Sequence, residues 1–508
     1  MASKVFSMAR LGITAQLVDV EVDVAAGLHT FQIVGLPDKS VGEAKERISS
    51  ALKNSKFKPP RAFNKRVIIN LAPADIKKEG GLYDLPMALG FLLASEQLKT
   101  ALGKTLIIGE LGLSGEIRPV RGTILYALTA RDAGFSRIIV PRDNKKEAEL
   151  IENMEVIAPL NLTELIEHLE GRNKIIYPPQ TKTNAKEERE DTFSLIAGQE
   201  SAKAALEIAA AGGHNMLMSG PPGSGKTLLA KAMAEILPPL NREEALEVTK
   251  IASVVGTLDK NEPLITRRPM RAPHHTSSES AIIGGGAGLM PGEITRAHRG
   301  VLFADEFPEF HRDVLESLRQ PMEEGTITVA RARGIIEYPA RFMLIAAANP
   351  CPCGYLGDEK RACICNTSQI INYQRKLSGP IADRIDLHVT VPRQSHKKIS
   401  GTQTGESAAV VRARVEAARA RQYARYSADD IHTNAEMRLK HIKKYCVVSD
   451  DISKMLANAV EKYNLSARAY HSTLKVARTV ADLAGAKEVE PQHIATAIQY
   501  AKRETVIL

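Results

Sequence analysis

The chain has 508 residues and a formal net charge of +9 at pH 7, with 5% aromatic residues and no Trp. This length suggests two to four domains, the charge favours a polyanionic partner such as nucleic acid, and the scarcity of aromatic residues argues against binding bases mainly by stacking. No apolar run is long enough to span a bilayer, and the first residues lack the apolar core of a signal peptide. We therefore expect a cytoplasmic protein without a membrane partner.

Residues 1–176 alternate short strand and helix patterns, which predicts an α/β domain. Apolar and acidic residues alternate over 18–24, a pattern typical of a half-exposed strand. Further strands are predicted at 66–71, 105–109 and 137–141, and helices at 85–95 and 122–134. Residues 177–192 are polar and show neither pattern, which predicts a linker.

A second domain is predicted over residues 193–393, and it begins with a glycine-rich loop between an apolar strand (214–219) and a helix (228–235). The loop matches the phosphate-loop pattern at every fixed position. Its residues are Gly220, Pro221, Pro222, Gly223, Ser224, Gly225, Lys226 and Thr227. Backbone N–H groups of such a loop surround phosphate oxygens, Lys226 reaches the β- and γ-phosphates, and Thr227 holds Mg²⁺. A glycine loop of another kind is the alternative, which the flanking strand and helix disfavour.

Two later apolar strands of this domain end in polar residues. The strand over 300–304 is followed by Asp305 and Glu306, which suit an Mg²⁺ contact and the polarising of an attacking water. The strand over 342–348 is followed by Asn349, which could orient that water or sense the γ-phosphate, because ligands of open α/β sheets bind at the carboxyl ends of strands. The alternatives are an acidic turn after a core strand and an ordinary turn residue.

Basic segments between these motifs are candidates for contacts with the DNA backbone. The candidate residues are Arg268, Arg271, His274, His275, Arg331 and Arg333. The last two follow a hairpin that we expect at 324–325. Packing beneath the nucleotide site is the alternative for the four residues of the first segment.

Four of the five cysteines lie within fifteen residues, as Cys351-x-Cys353 and Cys363-x-Cys365. Four thiolates can hold Zn²⁺ in a tetrahedral site, although a spacing of one residue is tighter than the usual two to four. Reduced thiols without a metal are the alternative, and a disulfide framework is not expected in an intracellular chain. Beyond them, residues 394–406 form a polar link, and residues 407–508 are predicted to be mostly helical.

In their order and spacing, the three nucleotide motifs resemble those of AAA+ ATPases, and the wider chain resembles the magnesium-chelatase-like ComM/YifB family over nearly its whole length. The segments that carry the resemblance are 33–38, 70–75, 109–116, 220–227, 271–275, 291–294, 349–354, 377–386 and 466–471. The resemblance implies an α/β fold with a P-loop AAA+ core, an N-terminal Lon-protease-like (ribosomal S5 domain 2-like) domain and a C-terminal helical lid. It also implies ATP and Mg²⁺, a hexameric ring in which the basic segments face the pore, and DNA branch migration during recombination of incoming DNA.

The resemblance assigns roles to two arginines as well. Arg384 matches the arginine finger that reaches the γ-phosphate bound by a neighbouring subunit, and a salt bridge to Asp383 or Asp386 is the alternative. Arg468 matches the second sensor arginine, with Arg478 on the same predicted helix as the alternative.

The front domain lacks the residues of Lon chemistry. Leu82 and Ile124 stand near the positions where the resemblance places the Lon serine and lysine, and neither side chain can act as a nucleophile or base. We therefore expect no peptidase activity and a scaffold or DNA-facing role.

The sequence predicts an ATP-driven DNA helicase or translocase. A metal-chelatase subunit and an ATP-driven protein remodeller are the alternatives.

Overall fold

The computed structural model describes residues 2–177, 191–286, 288–331, 334–377, 381–394 and 405–501. The linker predicted at 177–192 and the link predicted at 394–406 lie almost wholly outside the described residues, and so does Arg333. The chain divides into two compact units. The first comprises residues 1–185, 242–265 and 287–291, and the second comprises residues 186–241, 266–286 and 292–508.

The strands of the described residues are β1 (Ala2–Leu11), β2 (Thr14–Ala26), β3 (Thr30–Val34), β4 (Lys65–Ala72), β5 (Thr105–Ile107), β6 (Glu110–Leu111), β7 (Ile117–Arg118), β8 (Arg137–Ile139), β9 (Glu155–Ile157), β10 (Met216–Ser219), β11 (Met270–Arg271), β12 (Gly284–Gly285), β13 (Met290–Pro291), β14 (Val301–Ala304), β15 (Thr326–Arg331), β16 (Gly334–Pro339), β17 (Met343–Ala348) and β18 (Leu387–Thr390).

The α-helices of the described residues are α1 (Lys39–Asn54), α2 (Asp84–Ala94), α3 (Thr123–Asp132), α4 (Lys145–Ala148), α5 (Leu162–Leu169), α6 (Thr192–Leu195), α7 (Glu200–Gly212), α8 (Lys226–Ile236), α9 (Arg242–Val255), α10 (Glu279–Ile283), α11 (Glu293–Arg296), α12 (Arg312–Ser317), α13 (Arg319–Glu324), α14 (Thr367–Leu377), α15 (Ala408–Arg425), α16 (Leu439–Tyr445), α17 (Asp450–Tyr463), α18 (Ala467–Ala484) and α19 (Pro491–Tyr500). In this part of the chain no helix combines the length and apolar character needed to cross a membrane.

The first unit is built on a seven-stranded mixed sheet in the order β3-β4-β2-β1-β5-β8-β9. Strands β1, β2 and β4 pair antiparallel, and β5, β8 and β9 continue parallel to β1. Along β2, Val20 and Val22 are fully buried while Glu21 and Asp23 are exposed, because successive side chains point to opposite faces of a strand. The strand predicted at 18–24 is confirmed and is longer at both ends.

Two hydrophobic cores fill the two faces of this sheet. Helices α1 and α2 contribute to one core and α3 to the other. The helices predicted at 85–95 and 122–134 are confirmed as α2 and α3 with shifts of one or two residues. Ile124 on α3 is fully buried and Leu82 is partly buried against both cores, so both side chains serve packing.

Helix α9 packs against α3 in the first unit, although the sequence analysis places residues 242–265 in the ATPase domain. The buried carboxylate of Glu147 accepts hydrogen bonds from the Ser253 hydroxyl and from the Ile124 amide, the latter at 2.8 Å. The long sequence separation of these partners explains why local patterns could not reveal the packing.

A buried ion pair joins α1 to α2 in the first unit. The Arg47 guanidinium donates to both carboxylate oxygens of Asp84, at 2.7 and 2.9 Å, and the Leu111 amide donates to the same carboxylate at 3.2 Å. Burial, which outweighs the attraction of Arg47, raises the pKa of Asp84 to about 6. The pair therefore needs its geometry intact, since a buried charge without its partner is strongly destabilising.

The second unit is built on a five-stranded parallel sheet in the order β11-β14-β17-β10-β18. All six residues of β17 are buried, as expected for a central strand of a parallel sheet covered on both faces. The sheet confirms the α/β prediction and brings the carboxyl ends of β10, β14 and β17 to one edge.

The C-terminal region is helical in its described residues, as predicted, and packs on α7 and α8 of the second unit. Arg419 donates to the Ala210 carbonyl, at 2.7 Å for its shorter bond, and Gln422 donates to the Ala211 carbonyl at 3.0 Å. These bonds satisfy carbonyls at the carboxyl end of α7, which have no partner within their own helix.

The hairpin predicted at 324–325 is wrong in position. Gly325, with φ +71°, ends helix α13, and the antiparallel hairpin is formed by β15 and β16, which pair from Thr326↔Pro339 to Arg331↔Gly334. A glycine after a polar residue suits a helix end as well as a hairpin turn, so the local signal does not discriminate between them.

We expect Asp84→Ala to weaken the first unit locally, because Arg47 loses its carboxylate and the Leu111 amide loses its acceptor. The opening free energy of α2 should fall by about 3 kcal/mol. Hydrogen exchange of α2 amides in the full-length protein should then be about 100-fold faster. The control is Asp19→Ala, which removes a surface pair with Lys4 and should change this free energy by less than about 1 kcal/mol. Equal effects of the two substitutions would show that the buried pair has no special role.

Candidate nucleotide-binding site

Residues 220–225 of the phosphate loop join β10 to α8 at the carboxyl edge of the second unit's sheet, and Lys226 and Thr227 begin α8. The predicted strand is confirmed with a later start at Met216, and the predicted helix is confirmed with an earlier start at Lys226. Gly223 and Gly225 have φ angles of +75° and +92°, a conformation that side-chain-bearing residues rarely adopt. A Cβ on Gly220 would lie 2.1 Å from a backbone carbonyl oxygen, so this position also requires glycine.

The Lys226 ammonium joins the phosphate loop to the end of β17. It donates to the carbonyl oxygens of Gly220 and Pro221, at 2.6 and 3.1 Å, and to Oδ1 of Asn349 at 3.2 Å. Burial lowers the pKa of Lys226, and the neighbouring Asp305 and Glu306 oppose that shift. The ammonium is thus held by neutral oxygens that phosphate oxygens can replace.

Thr227 and Asp305 come together as the sequence predicts. The Thr227 hydroxyl donates to Oδ2 of Asp305 at 2.9 Å, while Oδ1 accepts the Glu306 amide, also at 2.9 Å. A hydroxyl and a carboxylate at the foot of a phosphate loop are the hard oxygen ligands that Mg²⁺ prefers. These two residues therefore fit the predicted metal role.

Glu306 is paired with a residue that the sequence analysis assigns to DNA. Its carboxylate lies 3.1 Å from Nδ1 of His275, and its backbone has φ +51° in the left-handed region. His275 follows β11, which lies beside β14 in the sheet. Residues after neighbouring parallel strands meet at one edge, and this signal could have pointed to the pair.

The other predicted DNA contacts have different surroundings. Arg268 donates to the carbonyls of Pro238 and Arg299, at 2.9 and 2.7 Å, and Arg271 forms a two-bond ion pair with Glu293. His274 is exposed, with its ring bonded to the neighbouring Thr276 hydroxyl. For Arg331 the structure describes only the backbone, at the end of β15, and Arg333 is not among the described residues.

Arg384 and Arg468 share one carboxylate, that of Glu323 on α13. Arg384 donates to it at 2.6 Å, and Arg468 donates to the same oxygen, which lowers the pKa of Glu323. Glu323 is thus a partner of Arg384 that was not foreseen beside Asp383 and Asp386. Glu323 is 61 residues from Arg384 and 145 from Arg468, so sequence spacing gives no signal for it.

Arg478, the alternative second sensor, is buried among the C-terminal helices. It donates to Oδ1 of Asp482 at 3.0 Å and to the carbonyls of Ala486 and Lys487 at 2.7 and 2.9 Å. These bonds give it a structural role, so Arg468 is the better candidate for a nucleotide sensor.

The four clustered cysteines converge as predicted, on the loop between β17 and α14. All four Sγ atoms lie within 4.8 Å of one another, and the Sγ atoms of Cys351, Cys353 and Cys363 are 3.4 to 3.6 Å apart. Sulfurs of a tetrahedral zinc site lie about 3.8 Å apart, given Zn–S bonds of about 2.3 Å. The geometry therefore fits a metal held by thiolates.

Sequence comparisons with known proteins cover nearly the whole chain. Family sequence models match as follows: "Subunit ChlI of Mg-chelatase" over residues 20–144, "Magnesium chelatase, subunit ChlI" over 192–399, and "Magnesium chelatase, subunit ChlI C-terminal" over 405–501. Uncharacterized protein YifB of Salmonella typhimurium is 43% identical over 499 residues, which is 98% of this chain and 96% of that protein. Competence protein ComM of Haemophilus influenzae is 41% identical over 506 residues, with the same coverage.

The chain belongs to the ComM/YifB family of magnesium-chelatase-like AAA+ ATPases. Membership in this family implies ATP and Mg²⁺ as ligands of the protein. The magnesium-chelatase 38 kDa subunit of Rhodobacter capsulatus is 31% identical over 175 residues, which is 31% of this chain and 50% of that protein. The ComM/YifB proteins thus share the full length of the chain, whereas this chelatase subunit shares only part of it.

We expect His275→Ala to slow ATP hydrolysis without weakening ATP binding, because the lost contact between Nδ1 and the carboxylate orients Glu306 and not the nucleotide. The kcat without DNA should fall about tenfold while the KM for ATP changes less than about twofold. His275→Asn, which keeps a hydrogen-bond donor near Nδ1, should recover part of the rate. His274→Ala is the control and should hydrolyse ATP like the original protein. A wild-type kcat for His275→Ala would remove the proposed orienting role.

Proposed function

We propose that this protein is an ATP-dependent DNA motor, a helicase or branch-migration translocase that acts in homologous recombination of incoming DNA during natural transformation. The geometry of the nucleotide site carries the proposal of ATP hydrolysis. The DNA role is supported by the relative named a competence protein, which aligns with 98% of the chain, and by the net charge of +9.

In the proposed reaction, loop amides and Lys226 bind the β- and γ-phosphates of ATP, with Lys226 exchanging its bonds to loop carbonyls for bonds to phosphate oxygens. Thr227 and Asp305 hold Mg²⁺, which neutralises charge on the phosphates when bound. Glu306 polarises the attacking water, and Asn349 orients it or senses the γ-phosphate. The contact between Lys226 and Asn349 supports this division of roles, because it places both side chains at one point.

We further propose that the protein works as a hexameric ring in which Arg384 acts on ATP bound by the neighbouring subunit. An arginine in that position neutralises charge that develops on the transferred phosphoryl group. Arg384 and Arg468 both bind Glu323, which supports a coupled role for them in this proposal. Both arginines would leave the same carboxylate to bind phosphate oxygens.

DNA contact is proposed at His274, Arg331 and Arg333 of the second unit. His274 is exposed, Arg331 is the last residue of β15, and Arg333 lies outside the described residues. The internal bonds of Arg268, Arg271 and His275 favour a supporting role for these three. We propose that the first unit is a Lon-protease-like scaffold or collar without peptidase chemistry and that the C-terminal helices serve as the lid.

Zn²⁺ is the metal that we propose for the cysteine cluster. Four thiolates in a closed arrangement are typical of structural zinc sites, and the backbone amide of Cys353 donates to Sγ of Cys365 at 3.3 Å. Such amide bonds stabilise the negative charge on a metal-bound sulfur.

A metal-chelatase subunit is the second candidate, because all three matching family models carry the chelatase name. A protein remodeller would use the same ATP site on another polymer. DNA dependence of ATP turnover separates both from a DNA motor.

We expect single-stranded and forked DNA to raise the kcat of ATP hydrolysis several-fold, because a motor couples hydrolysis to its track. Steady-state turnover of the full-length protein is measured with and without each DNA. Glu306→Gln is the control for contaminating ATPases and should abolish turnover with DNA present. If ATP turnover is the same with and without DNA but is abolished by Glu306→Gln, the DNA motor is excluded and a chelatase subunit or protein remodeller is favoured.

Arg384→Ala should lower kcat about 1,000-fold while ATP binding is retained. If the arginine acts in trans, mixing these subunits with Lys226→Ala subunits should restore part of the turnover, because the second variant supplies Arg384 to the intact site of the first. A mixture of Lys226→Ala and Glu306→Gln subunits is the matched control, since both defects lie in the subunit's own site and should not complement. Failure of the first mixture would contradict action in trans.

A further inference from the structure

The loop that carries the four cysteines begins at the nucleotide site. Asn349, whose amide oxygen accepts from Lys226 at 3.2 Å, is two residues before Cys351. Cys351 is fully buried, and Gln374 on α14 donates to the Pro350 carbonyl between them at 3.5 Å. The chain thus passes directly from a side chain at the ATP site to the first thiol of the cluster.

A second contact joins this loop to the phosphate loop itself. Gly354, with φ +84°, lies so close to Pro222 that a Cβ built on it would be 2.7 Å from Cδ and 2.8 Å from Cγ of the proline ring. The same Cβ would lie 3.8 Å from Cγ of Asn349. The cysteine loop therefore lies against two parts of the ATP site, and it leaves no space for one more carbon atom beside Pro222.

Two of the thiols lie on either side of this contact along the chain. Cys353 immediately precedes Gly354, and its Sγ is 3.5 Å from that of Cys363, ten residues further along the chain. A metal bound to these sulfurs would cross-link the two ends of the loop and restrict the backbone of Gly354. Without the cross-link, the residues between Cys353 and Cys363 would be ordered only by their own contacts.

We propose that the metal-bound cysteine loop positions the ATP site: Zn²⁺ holds Gly354 against Pro222 and keeps Asn349 beside Lys226. The inference rests on the proposed ATP and zinc sites, and it adds that nucleotide affinity depends on the zinc. The loop acts through the phosphate loop and does not touch the reacting atoms.

The contact is tested with Gly354→Ala and its matched control Gly357→Ala in the full-length protein. Both glycines have positive φ, +84° and +77°, but a Cβ on Gly357 would have nothing within 4 Å. Gly354→Ala should weaken binding of a fluorescent ATP analogue at least about tenfold, and Gly357→Ala should stay within about twofold of the original affinity. Equal effects of the two substitutions would overturn the proposal.

A double variant shows whether the contact with Pro222 is responsible. Pro222→Ala removes the ring atoms that the new methyl group would meet, so Gly354→Ala should cost less affinity in a Pro222→Ala background than in the original protein. The affinity of Pro222→Ala alone is the baseline for this comparison. If the affinity losses of Gly354→Ala and Pro222→Ala are additive in the double variant, a direct contact between the two residues is contradicted.

The metal is tested with Cys363→Ser, for which Cys446→Ala is the control because its thiol is buried among the C-terminal helices. The original protein and Cys446→Ala, prepared with zinc, should each contain one zinc per chain by elemental analysis. Cys363→Ser should lose the zinc and bind the ATP analogue at least about tenfold more weakly. Zinc-free protein with full affinity would overturn the inference, and so would the absence of zinc from the original protein.

All affinities are measured in a Glu306→Gln background, where binding does not depend on hydrolysis or DNA. If ATP turnover proved independent of DNA, these affinity measurements would therefore still test the role of the cysteine loop. If the original protein bound no nucleotide at all, the proposed ATP site would fail, and the inference would fall with it.

Discussion

The hydrogen bonds of the Lys226 ammonium are the constraint on which the nucleotide site depends. A buried ammonium must be surrounded by oxygen atoms, and here two loop carbonyls and the Asn349 amide provide them. Because these acceptors come from the phosphate loop and from the strand beside it, the same bonds hold the loop open and fix the end of β17. Phosphate oxygens can then replace neutral acceptors at a site that is already formed.

The order of strands explains how the remaining groups reach this lysine. Strand β17 lies between β10 and β14, so Asn349 stands between the phosphate loop and the carboxylates that follow β14. Strand β11 lies on the other side of β14 and brings His275 to Glu306. A parallel sheet thus gathers at one edge residues that are separated by more than 100 positions in the chain.

Carboxylates near the site have partners within the same unit. Glu306 is paired with His275, and Glu323 accepts from both Arg384 and Arg468. An arginine that is to act on phosphate needs an interim partner, because an unpaired guanidinium in a half-buried position is unfavourable. Glu323 is that partner for both Arg384 and Arg468. In the proposed ring, the departure of one arginine from Glu323 would therefore affect the other.

The sequence by itself determined the local parts of this protein. Glycines in the 220–227 loop, the apolar strand before it and the helix after it predict a glycine-rich turn between β10 and α8, because short-range sterics and hydrogen bonding decide such a loop. Local patterns also predicted the half-exposed strand β2, from its alternating valines, and the polar residues that follow β14 and β17. Convergence of the four thiols was also foreseen, since their spacing along one short loop keeps them close.

Only the tertiary structure decided which side chains meet across long separations. Neither the pairing of His275 with Glu306 nor the shared carboxylate of Glu323 has a local signature, and both change what nearby basic residues can do. The end of α13 at Gly325, the packing of α9 in the first unit and the fit of Gly354 against Pro222 depend in the same way on the surrounding packing. Local patterns record the backbone preferences of neighbouring residues, whereas such contacts are selected by the packing of the whole unit.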